Sequence, residues 1–379
     1  MANITATVKI RGQPLKRAFV ERIGWFGLDP APITLTGETG KFKFDAGLED
    51  RIEVRVHCRN SVMSVLDGQL SLMPVSFVGK VRNGEVLRIT KQHDHFEIAN
   101  TCLDVYDTVW RQFAPYRKSG RDAFPMWTGG TARLSFSHRQ RLELSYPDQM
   151  FQELAFVEPS ALTSGLPFTH IKEKSLDPRL FGDRDEEGKL RDPSLLPHEL
   201  GHVFHFAALS QDVRSRVQNG YLDWLTSRIG SGDFTHGITK KTIPLVAYVE
   251  AAGMFSERFY FFRKRVEPKL IGDELYRAFV IDELSAEPRL AGVLRDTYTP
   301  IAQTENLAIV PKIRKGNNVE GALYGALYLQ LGRRIGLKQV VEHILKSDAT
   351  TFDEFRHFMN RRYPAHKDDI ESTALNWDL

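Results

Sequence analysis

Apolar and polar residues alternate along the first 95 or so residues, which is the pattern of half-buried β-strands. The clearest run is residues 51–58, in which every second side chain is apolar. Residues 4–10 and 42–44 show the same period. Turn residues separate these runs, at Gly37, Gly40, Gly68 and Asn83-Gly84. The pattern predicts a small antiparallel β-sandwich over residues 1–95.

The period changes to a helical one after residue 95. Apolar residues recur at three- and four-residue intervals, at Cys102, Val105, Tyr106, Val109, Trp110 and Phe113. Thr101 and Asp104 have the spacing of a capping box, which predicts a helix start near Thr101. We interpret His93 and His95, which precede this start, as exposed polar residues at a strand end rather than as a pair of metal ligands.

Later segments combine strands and helices. Residues 132–136 and 154–157 return to strand-like sequence, and a charged loop over residues 177–192 follows them. After about residue 245 the pattern is largely helical, and Thr351 with Glu354 forms another candidate capping box. The fold class that we predict is α+β, with an accessory domain over residues 1–95 and a second domain over residues 96–379 whose C-terminal half is mostly helical.

Composition adds little to this picture beyond excluding some classes. The 379 residues are 42% hydrophobic, and their net charge of +3 is too small to indicate a nucleic-acid partner. No apolar run approaches the roughly 20 residues that cross a bilayer, and the N-terminus lacks a signal-peptide pattern. We therefore expect a cytoplasmic protein with no nucleic-acid or membrane partner. Two cysteines, Cys58 and Cys102, are too few for a disulfide framework or a cysteine-based zinc site.

The candidate chemistry lies in an HExxH motif, residues 198–202, within a strongly apolar segment. Residues four apart share one face of a helix, so His198 and His202 can bind one metal ion. Zn²⁺ suits such ligands and leaves a position for water, which Glu199 can activate as general base. Gly201 is unfavourable in a helix by about 1 kcal/mol, which close packing near a metal would justify. The alternative is a pair of ordinary core histidines.

A catalytic zinc site needs a third protein ligand. The metzincin pattern fails, because His205 replaces its glycine and Ala208 its third histidine. We interpret His205 as a core residue or as a neighbour of a ligand. The first glutamates after the motif are Glu250 and Glu257, two helical turns apart, so both can face the motif helix. Weaker ligand candidates lie between them and the motif, at Asp223 and His236.

Residues 247–259 resemble the second zinc-binding helix of the gluzincin metallopeptidases, in which a glutamate is the third ligand. This resemblance implies that Glu250 binds the metal and that Glu257 accepts a hydrogen bond from a histidine ligand. A second alignment, on residues 255–259, places the ligand at Gly253, which has no side chain. That departure leaves Glu257 as the alternative ligand.

The gluzincin resemblance implies a zincin-like peptidase domain over residues 96–379. Its activity would be hydrolysis of a peptide or protein substrate by a metal-activated water, with Glu199 as general base. The oxyanion of the transition state needs a further donor. The candidates that we consider for it are Tyr248, His236, Tyr324 and Tyr328.

Residues 8–20 and 36–44 resemble the carboxypeptidase regulatory-like β-sandwich, in which a Gly-x-Phe turn introduces a strand. This resemblance implies a non-catalytic N-terminal module that binds a partner, positions another domain or assists folding. Two other functions stay open for the whole chain. One is a metal hydrolase of another amide, although the residues around Cys102 match the deformylase pattern poorly. The other is a catalytically inactive, metal-stabilised interaction protein, against which Glu199 argues.

Overall fold

The computed structural model describes residues 2–23, 33–47, 49–67, 74–91, 93–118, 124–128, 156–157, 169–171, 195–228, 239–264 and 315–379. Strands and helices both occur, so the chain is an α+β protein, as the sequence predicts. The chain divides into two compact units. The β-rich unit comprises Met1–Asp107, Arg121–Glu158 and Phe168–Asp183, and the helical unit comprises Thr108–Gly120, Pro159–Pro167 and Arg184–Leu379. The predicted domain boundary after residue 95 stays a prediction.

The strands of the β-rich unit begin at the second residue. They are β1 Ala2–Ile10, β2 Gln13–Pro14, β3 Phe19–Ile23, β4 Ile33–Leu35, β5 Lys41–Gly47, β6 Arg51–His57, β7 Met63–Asp67, β8 Ser76–Arg82, β9 Val86–Ile89, β10 Phe124–Thr128, β11 Phe156–Val157 and β12 Thr169–Ile171. The strands expected from alternation over residues 4–10, 42–44 and 51–58 are therefore confirmed as β1, β5 and β6. The predicted strand over residues 132–136 and the charged loop over 177–192 lie outside the described residues.

Three sheets organise these strands. In the first, β1 pairs with β2, β5 and β9, and Ile4 lies opposite Phe44. The second has the antiparallel order β4-β3-β6-β8, and Val20 lies opposite Val56. The third has the order β11-β12-β10-β7. Within the β-rich unit β1 of the first sheet approaches β8 of the second, and β4 of the second approaches β5 of the first.

The first sheet is mixed rather than purely antiparallel, because β9 runs parallel to β1. The turn at Asn83-Gly84, where Gly84 has φ +81°, does not make a hairpin within one sheet. Instead the chain leaves β8 in the second sheet and enters β9 in the first. Alternation reports which side of a strand is buried and carries no information on the direction of its neighbour.

The first helix begins earlier than the sequence predicts. Helix α1 spans His93–Val105 and continues through a π-helical turn, Tyr106–Trp110, and a 3₁₀ turn, Arg111–Tyr116. His93 and His95 therefore lie in its first turn, and placing them at a strand end was wrong. The capping box at Thr101 was also wrong, since the Thr101 hydroxyl donates to the carbonyl oxygen of Glu97 inside the helix, at 3.0 Å. A threonine can satisfy its hydroxyl in this way within a helix, so the local spacing was misleading.

Helix α1 belongs to the β-rich unit. The described part of the helical unit has the helices α2 Leu195–Ala208, α3 Gln211–Arg228, α4 Pro244–Lys264, α5 Glu320–Tyr324, α6 Gly332–Ile335, α7 Leu337–Ser347, α8 Phe352–Arg362 and α9 Lys367–Trp377. A π-helical turn, Gly325–Leu331, joins α5 to α6. One half of the second capping box is confirmed, because the Thr351 hydroxyl accepts from the backbone N–H of Glu354 at the start of α8. The Glu354 carboxylate accepts from the backbone N–H of Thr350, one residue before the predicted position. None of the helices in the described ranges is both long and apolar enough to cross a membrane.

Candidate metal centre

Helices α2 and α4 pack closely at two glycines, one from each helix. A Cβ atom on Gly201 would lie 2.7 Å from the Cβ of Ser256 and 2.8 Å from both the carbonyl oxygen of Ala252 and the Cα of Gly253. A Cβ atom on Gly253 would lie 2.6 Å from Nε2 of His198. Glycine is the residue that permits such an approach. The close packing that Gly201 predicts is thus present, and it brings α4 against the motif histidines.

Trp110 contacts both helices of this pair. The Trp110 indole N–H donates to the Ser256 hydroxyl at 2.9 Å, and both side chains are buried. The Trp110 ring also contacts Phe204 of α2 and Phe255 of α4, at centroid distances of 5.5 and 5.9 Å. A buried indole with a satisfied N–H fixes both helices at once.

One imidazole nitrogen from each of His198 and His202 and one carboxylate oxygen of Glu250 lie within 4.8 Å of one another. The Oε2 atom of Glu250 is 3.1 Å from Nε2 of His198 and 3.4 Å from Nε2 of His202. Two imidazoles and a carboxylate that converge on one point make a donor set for a divalent metal. These three residues could hold a metal ion.

The cluster is largely buried, and His198 is its most exposed member. Side chains of Glu250 and His202 are 3% and 6% exposed, whereas that of His198 is 17% exposed. Burying a carboxylate beside two histidines without compensation costs several kcal/mol, so such a group is stable only when its members bind one another or a cation. Within the described residues, no second group of three His, Cys, Asp or Glu side chains meets the same distance condition.

Glu257 contacts the other nitrogen of the same histidine. Its Oε2 atom lies 3.2 Å from Nδ1 of His198, on the side of the ring away from the Nε2 that faces Glu250. Behind it, a guanidinium nitrogen of Arg258 is 3.5 Å from the Glu257 carboxylate, and Arg258 is 2% exposed. A carboxylate at Nδ1 orients the ring and leaves Nε2 to a metal. Both glutamates face the motif helix, as their seven-residue spacing predicts.

Tyr221 belongs to the cluster and was missed by the sequence analysis. Its phenol, on α3, donates a hydrogen bond to Oε1 of Glu250. The signal that could have found it is the apolar row Val213, Val217 and Tyr221, spaced by four residues on one face of α3. That face packs against α2 and α4, with Phe206, Leu209 and Val249. A periodicity search on this segment would have assigned the face to the core, but not the hydroxyl to Glu250.

The remaining site candidates have other described neighbours or fall outside the described residues. His205 is buried beside Tyr248, with ring centroids 6.1 Å apart, and burial is the main reason that its pKa falls to about 4.

Tyr324 packs under the guanidinium of Arg258 and against Tyr328, whose ring stacks on Phe255. Burial also raises the pKa of the Tyr248 phenol well above its usual value. Asp223 is exposed on α3. His236 and the side chain of Glu199 are outside what the structure describes.

Cys102, the cysteine weighed for a deformylase-like site, is buried on α1, and burial raises the pKa of its thiol. It is not a member of the His198, His202 and Glu250 group. Cys58 is buried as well, and its thiol donates to the carbonyl oxygen of His95 at 3.0 Å. Both cysteines are free thiols that pack as small apolar residues.

Comparisons with protein families and with curated proteins gave no match. No protein-family model matches the sequence, and no curated protein matches it either. The metal group is therefore interpreted from its own geometry.

Proposed function

We propose that this protein is a zinc-dependent peptidase of the gluzincin type, with the metal held by His198, His202 and Glu250. The observation that carries the proposal is the convergence of these three donor groups within 4.8 Å, two of them on the helix that also contains Glu199. Three protein ligands leave one position of a tetrahedral zinc site to water or substrate, which is the arrangement of catalytic rather than structural zinc.

The chain also has candidates for other roles that hydrolysis requires. Zinc bound there would lower the pKa of a water ligand and polarise a carbonyl group. Glu199, next to His198 in the sequence, is the residue that we assign to accept the proton and return it to the departing amine. Glu257 accepts from Nδ1 of His198, so it is assigned to orient the ring. The partial exposure of His198 supports access from that side.

We also propose that the N-terminal strands form a carboxypeptidase regulatory-like β-sandwich that binds a partner. The support is the sequence resemblance together with the first two sheets of the β-rich unit, whose strands β1 and β8 approach each other. The alternative for the whole chain is an inactive interaction protein that a metal stabilises. A closed site with four protein ligands would favour it, but Glu257 contacts the Nδ1 side of His198 and His205 is not within the metal group.

The first test is metal content. Purified protein is expected to contain about one zinc ion per chain, and His198→Ala, His202→Ala and Glu250→Ala should each lose it, because each removes a direct ligand. Glu257→Ala should weaken zinc binding only about 10- to 100-fold, as loss of an orienting partner does. Full zinc occupancy in a His198→Ala/His202→Ala double variant would refute the site. A larger loss in Glu257→Ala than in Glu250→Ala would exchange their roles.

The second test is hydrolysis. Zinc-loaded protein should cleave members of a mixed synthetic peptide library, detected by mass spectrometry. Glu199→Gln preserves the size of the side chain but cannot accept a proton, so turnover should fall by roughly two or more orders of magnitude while zinc stays bound. Undiminished turnover in that variant would exclude Glu199 as the base. A fully zinc-loaded wild type that cleaves nothing would favour the interaction protein.

A further inference from the structure

We propose that Tyr221 is a positioning residue for the metal centre, which restricts Glu250 to binding the metal through a single oxygen. The inference rests on the metal site of the proposed function and extends it to a residue of a third helix. The inference concerns how the Glu250 carboxylate is oriented. A test can therefore reject the role of Tyr221 and still leave the three proposed ligands in place.

The two oxygens of Glu250 have different surroundings. Oε2 faces the Nε2 atoms of His198 and His202, at 3.1 and 3.4 Å. Oε1 accepts the hydrogen bond from the Tyr221 phenol. A phenol that donates to one oxygen competes with a metal for that oxygen, so the metal is left with Oε2. The carboxylate then contributes one ligand atom, and a coordination position is left for water or substrate.

The phenol is held in place by the packing of three helices. Tyr221 packs against an apolar cluster from α2, α3 and α4, which consists of Phe206, Leu209, Val217 and Val249 with Val213 and Leu245 at its edge. Its ring also lies 5.8 Å from that of Trp224, at an angle of 73°. Gly220, the preceding residue, leaves room for Leu245 of α4, since a Cβ there would lie 2.9 Å from the Leu245 side chain. The ring is therefore anchored by core contacts that removal of its hydroxyl would leave in place.

The burial of Glu250 makes this hydrogen bond consequential. The residue is 2% exposed, so water cannot easily replace a lost partner at Oε1. Without the phenol, the carboxylate can rotate and offer both oxygens to the metal, or it leaves one buried oxygen unsatisfied. Either change alters metal affinity and coordination, whereas a purely structural tyrosine would alter only folding stability.

The test is Tyr221→Phe, which retains the ring and removes the hydroxyl. Zinc affinity, measured by competition with a chelator, should fall about 10- to 100-fold, as it does when other partners of metal ligands are removed. The metal-free variant should unfold within a few degrees of the metal-free wild type. With Co²⁺ as the probe, the visible absorption of the variant should weaken, because Co²⁺ absorbs less strongly when its coordination number rises above four.

A double-mutant cycle shows whether Tyr221 acts through Glu250. Glu250→Ala keeps two of the three ligands, so it should be purified without zinc but should still bind added zinc weakly in a titration. In that background Tyr221→Phe should cause no further loss of affinity, since its acceptor is gone. The control is Tyr363→Phe, whose ring packs on His343 at 3.9 Å between centroids and whose hydroxyl loss should leave zinc affinity unchanged.

Three results would overturn the inference, and they differ in whether the proposed metal ligands are also rejected. If Tyr221→Phe binds zinc with wild-type affinity and gives the wild-type Co²⁺ spectrum, Tyr221 does not position Glu250, and the three ligands stand. If the wild type itself binds neither metal, the proposed function fails together with this inference. Equal losses for Tyr221→Phe in the wild-type and Glu250→Ala backgrounds would also reject a role through Glu250.

Discussion

The β-rich unit and the helical unit both bury polar side chains, but these side chains bind different partners. In the β-rich unit they bond mainly to the backbone: the Thr36 hydroxyl donates to the carbonyl oxygen of Leu15, and the Asn60 amide donates to that of Ala99. In the helical unit some buried hydroxyls also bond to the backbone, as Thr373 does to the carbonyl oxygen of Asp369, but the Glu250 carboxylate bonds to the side chains of His198 and Tyr221. Most side-chain hydrogen bonds in proteins go to backbone or water, so the first arrangement is the common one.

The difference separates groups that serve the fold from groups that serve a site. Thr36 and Asn60 satisfy backbone groups at turns and strand ends, and the stability of the unit accounts for them. The cluster around Glu250 gathers several ionisable groups where an apolar core would be as stable or more so. Folding alone does not explain such a cluster, and His198, His202 and Glu250 are groups that could hold a metal ion. Substitutions in the β-rich unit should therefore change stability alone, whereas substitutions near Glu250 should also change zinc affinity. The predictions below run from the largest expected effect to the smallest.

The largest effect should come from adding a methyl group at the crossing of α2 and α4. Gly253→Ala would place a Cβ 2.6 Å from Nε2 of His198 and 2.8 Å from Cε1 of His202. Because both ligands must move, zinc affinity should fall by at least roughly 100-fold, the upper end of what outer partners contribute. Overpacking should also lower the free energy of unfolding by about 1–3 kcal/mol.

The matched change in the β-rich unit is Gly40→Ala. Gly40 has φ +75°, and a Cβ there would lie 2.5 Å from the carbonyl oxygen of Val8. This substitution should also cost about 1–3 kcal/mol of stability, but zinc affinity should stay at the wild-type value. Zinc titration and denaturant unfolding of both variants make the comparison, and equal metal loss in the two would contradict it.

A smaller effect on function, with a clear effect on stability, is expected from Ile52→Ala. Ile52 is 1% exposed on β6, so truncation should leave a cavity and cost about 2–5 kcal/mol. Since its neighbours are apolar strand residues, zinc affinity should not change at temperatures where the protein stays folded. Calorimetry and zinc titration would measure the two quantities, and a fall in affinity would show that the two interiors are coupled.

The smallest effect should be a pH dependence of stability caused by His343 of α7. His343 is 3% exposed, and burial, then Lys346 and His366, lower its pKa to about 4 against the opposing charge of Glu342. The folded chain keeps the ring neutral while the unfolded chain takes up a proton near pH 6.5. This contribution to stability is therefore complete above pH 6.5 and is lost as the pH falls towards 4.

Between pH 7 and pH 5 His343 should remove at most about 2 kcal/mol of the free energy of unfolding, because solvent screens part of the shift. His343→Gln should abolish that part of the pH dependence, measured by urea unfolding at the two pH values. His357→Gln, at an exposed histidine of α8, is the control and should leave the wild-type dependence intact. An unchanged slope in His343→Gln would mean that the ring is solvated or already charged in the folded protein.

Several features follow from the sequence alone because they depend on residues that are close together along the chain. Alternation over residues 51–58 specifies a half-buried strand, and β6 occupies that segment. The four-residue spacing of His198 and His202 suffices to place both on one side of α2, with ring centroids 4.8 Å apart. The seven-residue spacing of Glu250 and Glu257 likewise directs both towards α2. In each case the period of the backbone determines the direction of the side chain.

Tertiary structure decided the contacts between distant residues. Glu250 and Glu257 are 52 and 59 positions from His198, and only the crossing at Gly201 and Gly253 gives one glutamate to Nε2 and the other to Nδ1. Tyr221, 29 positions from Glu250, reaches its carboxylate because α3 packs on both other helices. The parallel pairing of β9 with β1 depends in the same way on where the chain goes after β8. Periodicity encodes which face of an element is buried, but the partner of that face is chosen by packing among all elements.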